Sequence, residues 1–182
     1  MSTAKWILDP THSEVHFKVK HMMVSTVTGH FKTFNATVTT ENDDFAHAKI
    51  HFTADVESIS TNNEQRDGHL KTGDFFDTTN HPQIIFDGER LEKTGDDSYK
   101  LHGTLTMRGV SKPFTFTVEH GGVMQDPWGN TRAGFEISGK VNRKDFGVSF
   151  SMVTETGGVM LSDEVKLSAN MEFVKEAIAQ TA

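Results

Sequence analysis

The sequence predicts an all-β fold in a single domain spanning residues 1–182. Apolar and polar residues alternate with period two through most of the chain, the pattern of half-buried strands. Clusters of Asn, Asp and Gly punctuate that alternation at short intervals. Residues 61–77 break it and carry a helical signal instead. No repeat of about 20–50 residues, the mark of a propeller or solenoid, is visible.

Taken in order, Trp6 to Leu8 forms a short first strand. In SEVHFKVKH, Val15, Phe17, Val19 and His21 share one face and Glu14, His16, Lys18 and Lys20 the other. Phe34 to Thr40 is a further short candidate. AKIHFTADVES sets Ala48, Ile50, Phe52, Ala54 and Val56 on one side, and Ile84 to Leu91 follows beyond the insertion. SYKLHGTLTMR repeats the pattern with Tyr99, Leu101, Leu105 and Met107. PFTFTVE does so with Phe114, Phe116 and Val118, and RAGFEISGKV with Ala133, Phe135, Ile137 and Val141. DEVKLSANMEF closes the series with Val165, Leu167, Ala169, Met171 and Phe173. Turn signals fall at 42–44, 95–97, 108–109, 126–130 and Gly157-Gly158. One apolar and one wet face per strand fits antiparallel pairing. Eight or nine such strands must close into a barrel or stack as a sandwich.

Small residues (Ala36, Ala48, Ala54, Gly103, Gly139 and Ala169) interleave with large ones on the apolar faces. An eight-stranded barrel is just wide enough to be filled by side chains or to hold one small ligand. Small inward residues are compatible with a cavity and equally with a tapered, packed core.

Composition narrows the functions. Eighteen Lys and Arg stand against 25 Asp and Glu, a formal charge of -7, which disfavours nucleic acid and anionic membranes as general partners. There is no cysteine, so thiolate nucleophiles, zinc ribbons and disulfides are excluded. No segment is apolar over the roughly 18 residues of a membrane helix, and stable membrane insertion is not expected. The start, MSTAKWILDPTHSEVHF, has no basic n-region, apolar h-region or cleavage site, so a cytoplasmic protein is expected, or a periplasmic one if the native start lies upstream.

The stretch NNEQRDGHLKTGDFFD concentrates Arg66, Asp67 and His69 ahead of Phe75 and Phe76. Thr61 and Glu64 have capping-box spacing, which places a helix start at Thr61 and an end near Gly73. A structural ion pair is a commoner meaning of Arg beside Asp than a catalytic dyad. The i, i+4 pairs His12/His16 and His47/His51 would converge on a metal only from a helix. On a strand they lie about 13 Å apart, so no metal site is assigned. His21 sits at the end of an apolar face, as a satisfied core histidine or a contact for a ligand headgroup. GFEISGKV imitates a phosphate loop, but Val141 stands where a Ser or Thr is needed and no helix follows.

Four blocks carry a family resemblance: WILDPTHSEVHFKVKHMMVSTVTGHF, STNNEQRDGHLKTGDFFDTTNHPQIIF, LTMRGVSKPFTF and NRKDFGV. From Trp6 to Phe173 the chain resembles the YceI-like family. That resemblance implies an elongated, lipocalin-like antiparallel β-barrel of about eight strands, with an apolar tunnel for long amphiphiles, polyisoprenoids above all. It implies no enzymatic reaction, catalytic residue or cofactor, and it leaves room for a homodimer. The family's RDxHL block falls on Arg66-Asp67-Gly68-His69-Leu70.

Tunnel contacts are expected from Val15, Phe17, Val19, Ile50, Phe52, Leu101, Phe114, Phe116, Phe135 and Leu167. The insertion is expected to pack over one barrel end, anchored by Phe75 and Phe76. His21, Arg66, Asp67 and His69 are then placed at the entrance, beside a purely structural role for the same residues. Two rivals stand against a lipid carrier. One is an enzyme acting on such a lipid through His21 or His69, and the other is an interaction module with a filled core.

Overall fold

Alternation with one wet face becomes a closed wall. The computed structural model describes residues 3–150 and 161–176. Its strands are β1 (Thr3–Leu8), β2 (Glu14–His21), β3 (Ser25–Phe31), β4 (Phe34–Glu41), β5 (Asp44–Asp55), β6 (Ile59–Ser60), β7 (Gln83–Lys93), β8 (Ser98–Met107), β9 (Val110–Gln125), β10 (Thr131–Asn142) and β11 (Leu161–Lys175). One helix, α1 (Glu64–Leu70), lies between β6 and β7. Eight strands close an antiparallel barrel in the order β1-β4-β5-β7-β8-β9-β10-β11, with β11 returning to β1. The barrel expected from the sequence is therefore the observed fold.

The other three strands lengthen one end. β11 pairs with β1 near its C-terminus, where Phe173 faces Leu8, and with β2 earlier, where Ala169 faces Val15. Between them Asp9 caps a short 3-10 turn at Pro10–His12, its Oδ1 accepting from Thr11 N at 3.0 Å. β3 pairs with β2, and the two-residue β6 pairs with β3. Alternation had not revealed β3. Gly29 interrupts its apolar face, because the Phe17 ring lies where a side chain would stand: an added Cβ would come within 3 Å of three ring carbons.

The helix starts later than its capping-box spacing suggests. Asn63 is the N-cap and accepts from Arg66 N at 3.0 Å. Thr61 is recruited differently. Its N and Oγ1 donate to Asp67 Oδ1 at 2.8 and 2.6 Å, while Arg66 Nε donates to its hydroxyl at 2.7 Å and Nη2 to its carbonyl at 2.9 Å. Side chains from within the helix thus hold the chain entering it, which satisfies a buried threonine. The helix ends at Leu70, and Gly73 lies beyond it. The Gly157-Gly158 turn signal lies outside the described residues.

Inward residues form one core, with Trp6, Leu105 and Val56 fully buried. Where strands come closest, glycine is required. A Cβ on Gly103 would stand 2.2 Å from the Asp87 carbonyl oxygen and 2.7 Å from the Phe86 ring.

Candidate ligand-binding tunnel

The barrel interior holds a cavity of about 120 Å³. Its lining runs from Phe31, Ile84 and Met107 at the helix-bearing end to Phe45, Phe135 and Phe173 at the other. Every lining residue is apolar except Ser168, whose exposed side chain alternates to the outside. Such a surface can recognise a ligand only by removing its hydrocarbon from water, about 0.8 kcal/mol gross per methylene.

Of the tunnel residues chosen by alternation, Val15, Ile50, Phe52, Leu101, Phe116, Phe135 and Leu167 line the cavity. Phe17, Val19 and Phe114 do not. Phe17 packs on Phe31, with ring centroids 5.7 Å apart, in the lengthened part of the wall where Val19 is also buried. Phe114 lies over Gly139 and against Phe116, ring centroids 4.7 Å apart. Ala36, Ala54 and Ala169 widen the cavity, whereas Gly103 and Gly139 serve close packing.

At the helix-bearing end the described residues are densely bonded to one another. Phe75 is buried there, 5.0 Å from the His69 ring and 5.2 Å from Phe150. Arg108 Nη1 donates to the carbonyls of Phe75 and Gly147 at 3.0 and 2.8 Å, joining the insertion to the turn after β10. Arg143, only 4% exposed, donates to the carbonyls of Val148, Phe150 and Ser162 at 2.8, 2.7 and 3.0 Å. Burial pushes its guanidinium pKa down, and Asp163 opposes that shift. Neither arginine is recognisable from alternation, because their partners are backbone carbonyls brought together only by the fold.

The opposite end is aromatic. Trp6 donates to Thr40 Oγ1 at 3.2 Å and packs 5.2 Å from Phe45. Phe45 in turn lies 5.3 Å from Phe135, and His120 stacks on Phe135 at 4.7 Å with an 11° interplanar angle. Burial holds the His120 imidazole below its ordinary pKa, against Asp97 and a backbone hydrogen bond at Gly122.

On the outer face of the same end, Arg132 reaches Asp126, Asp9 and Glu172, each at 2.8 Å. The Arg132 bond brings the Asp126 carboxyl down to about 2, and hydrogen bonds from Thr11 and His12 hold Asp9 well below the usual range. The ligand atoms of Asp9, His12 and Glu172 lie within 4.8 Å of one another, as a metal site would need. The cation between the two carboxylates is the Arg132 guanidinium, so the cluster is a clamp between the β9–β10 turn and the bend after β1.

Residues 6–173 match the YceI-like domain family. The chain belongs to that family. A UPF0312 protein of Staphylococcus aureus (strain N315) is 40% identical over 166 residues, covering 91% of this chain and 94% of the relative. A YceI protein of Campylobacter jejuni, known as a crystal structure, is similar at 33% identity with a TM-score of 0.74, over 87% of this chain and 90% of that one. A polyisoprenoid binding domain from Saccharophagus degradans shares the fold at 15% identity and a TM-score of 0.70, over 94% and 98% of the two chains.

The residues expected at the entrance of this YceI-like barrel can now be placed. Arg66 and Asp67 bind Thr61, and His69 Nε2 is 2.8 Å from Asp74 Oδ2. His21 ends β2 at a hairpin tip, facing Ser25 and Leu161. None of the four lines the cavity. Two residues beside or within the tunnel's other end escaped the sequence reading. Phe45 follows a turn signal directly, and His120 lies between the run PFTFTVE and Gly121-Gly122, which reads as a strand end. Period two already contained His120, since Phe114, Phe116, Val118 and His120 continue a single face.

Proposed function

We propose that this protein binds a long-chain amphiphile in its barrel and carries or sequesters it without chemical change, a polyisoprenoid being the first choice. The single observation that carries this reading is a cavity inside the barrel whose wall, among the described residues, is apolar apart from the outward-turned Ser168. An enzyme needs convergent polar groups at the reacting atoms. His21 and His69, the candidates for such a role, lie outside the lining. The binding activity in the name of the Saccharophagus degradans domain, which has the same fold, supports choosing a polyisoprenoid among long-chain ligands.

The cavity of about 120 Å³ is somewhat smaller than an engineered cavity of about 150 Å³ that accepts benzene. A long chain therefore enters by displacing rings. Phe45, Phe52, Phe116 and Phe135 are the half-buried rings of the lining and would be the ones to turn aside, whereas Phe86 is buried. The same small volume favours the packed interaction module as the second reading.

Native mass spectrometry of protein purified without detergent, followed by organic extraction, separates the two. A stoichiometric long-chain lipid is expected. Protein that is empty and also refuses added isoprenols and fatty amphiphiles overturns the carrier reading in favour of the packed module.

A further inference from the structure

A tail in an apolar tunnel leaves its polar head at a boundary, and the wall shows one boundary built for it. Among the described residues, three buried side-chain polar atoms have no hydrogen-bond partner: Thr78 Oγ1, Asp163 Oδ1 and His120 Nε2. Asp163 is ion-paired with Lys144 at 3.2 Å, and Thr78 belongs to the loop after the helix. His120 is different, because its ring stacks on Phe135 and lies 5.4 Å from Phe45, both of which line the cavity.

The wall is also thin here. Gly134 pairs with Gly122 and Phe135 with His120, which leaves Gly121 as the extra residue of a β-bulge. Bulges re-aim neighbouring side chains. A Cβ on Gly122 or Gly134 would meet nothing within 4 Å. Outside lies a groove of about 410 Å³ that His120 also lines, and Phe135 and Met171 border both the groove and the cavity. His120 therefore stands where the inner and outer spaces meet.

We propose that the head of the bound amphiphile lies where the cavity and this groove meet, and that it is a neutral hydroxyl donating to the buried His120 Nε2. The proposal rests on the tunnel-binding reading above and deepens it. Nε2 is the His120 ring atom that has no partner. In the neutral imidazole tautomer that carries its proton on Nδ1, Nε2 is an acceptor. Burial keeps the ring on its neutral side, consistent with that role. The groove's other charged or titratable side chains are Glu119, Glu136, Glu172 and His12. Arg132 pairs with Glu172, but Glu119 and Glu136, with Asp97 also acting on the ring, leave an acidic surrounding that disfavours a diphosphate or carboxylate head and tolerates a hydroxyl. The head thus lies at the barrel end opposite the helical insertion.

The test is a fluorescence titration of the full chain carrying Trp128→Phe, an exposed turn position, so that buried Trp6 reports. Its ring is 5.2 Å from Phe45. The probes are farnesol, farnesyl diphosphate and the hydrocarbon of the same chain length. Farnesol is expected to bind about tenfold more tightly than the hydrocarbon, the worth of one net hydrogen bond, and more tightly than the diphosphate. His120→Phe keeps the aromatic stack, removes the acceptor and should bring farnesol to the hydrocarbon's affinity while leaving the latter unchanged. His120→Gln restores an acceptor and should recover part of the preference. Equal binding of alcohol and hydrocarbon by unsubstituted His120 protein, tighter diphosphate binding, or an unchanged preference in His120→Phe each overturns the hydroxyl site and leaves the tunnel standing. Failure to bind any of the three overturns the tunnel reading together with it.

Discussion

The two ends of the barrel are built on opposite principles. At the helix-bearing end, Arg108 and Arg143 spend their donors on main-chain carbonyls, and Phe75 is buried among rings. At the other end half-buried rings meet beside a bulge and a run of glycines, and a histidine nitrogen is left without a partner. The first arrangement costs much to open, since each carbonyl released inside the protein loses a charge-assisted bond. The second resists less inside the wall, because its rings are half-buried and the glycines leave space beside them, while Arg132 clamps the outer face of the same end. The carrier proposed above would use both, the first end as a fixed floor and the second as a mouth that gives way.

That contrast can be broken by mutation. The largest effect is expected for Phe75→Ala, about 3–5 kcal/mol of stability lost on emptying a buried aromatic site. Phe45→Ala should cost about 1–2 kcal/mol, as a half-buried ring does, and should speed lipid uptake. Equal losses in chemical denaturation would mean that the ends are equally rigid. Arg143→Ala should follow Phe75→Ala closely, at about 3 kcal/mol, because several buried carbonyls lose their donor. Its lipid affinity should stay unchanged.

Arg66→Ala sharpens the comparison on a smaller scale. The guanidinium is exposed and makes two bonds to Thr61, so a loss of about 1 kcal/mol is expected. Lost lipid affinity at an unchanged melting temperature would instead place the entrance at the helical insertion. The smallest effect is electrostatic. Asp126 has its pKa lowered to about 2 by Arg132, against an unfolded value of about 3.9. Its contribution is therefore complete above pH of about 4 and disappears as pH falls through about 2. Melting temperature followed between those values should drop less in Asp126→Asn than in the unsubstituted protein.

Much of the barrel was legible because each long strand has one apolar and one wet face. Val15, Ile50, Leu101, Phe135 and Leu167 could be chosen for the interior without knowing which strands are neighbours. β3 was not legible, since Gly29 stands where an apolar residue would continue the pattern and is there to admit the Phe17 ring. Thr61 looked like a helix cap because it has the right spacing. Asn63 took the role, which left Thr61 to Arg66 and Asp67. His120 was hidden by its glycine neighbours: Gly121-Gly122 reads as a strand end, and in three dimensions it is a bulge within a strand that continues to Gln125.

β11 has a further consequence for how the molecule fluctuates. Along one edge it holds β10, and along the other it holds β2 and then β1, so a single strand is common to both ends. Its middle amides, around Leu167 to Asn170, are paired along both edges and are expected to exchange with solvent only when the whole sheet separates. Hydrogen exchange there should report global unfolding, while the two-residue β6 should exchange through local fraying. A barrel organised in this way can open locally at one end while the pairing along β11 keeps its register.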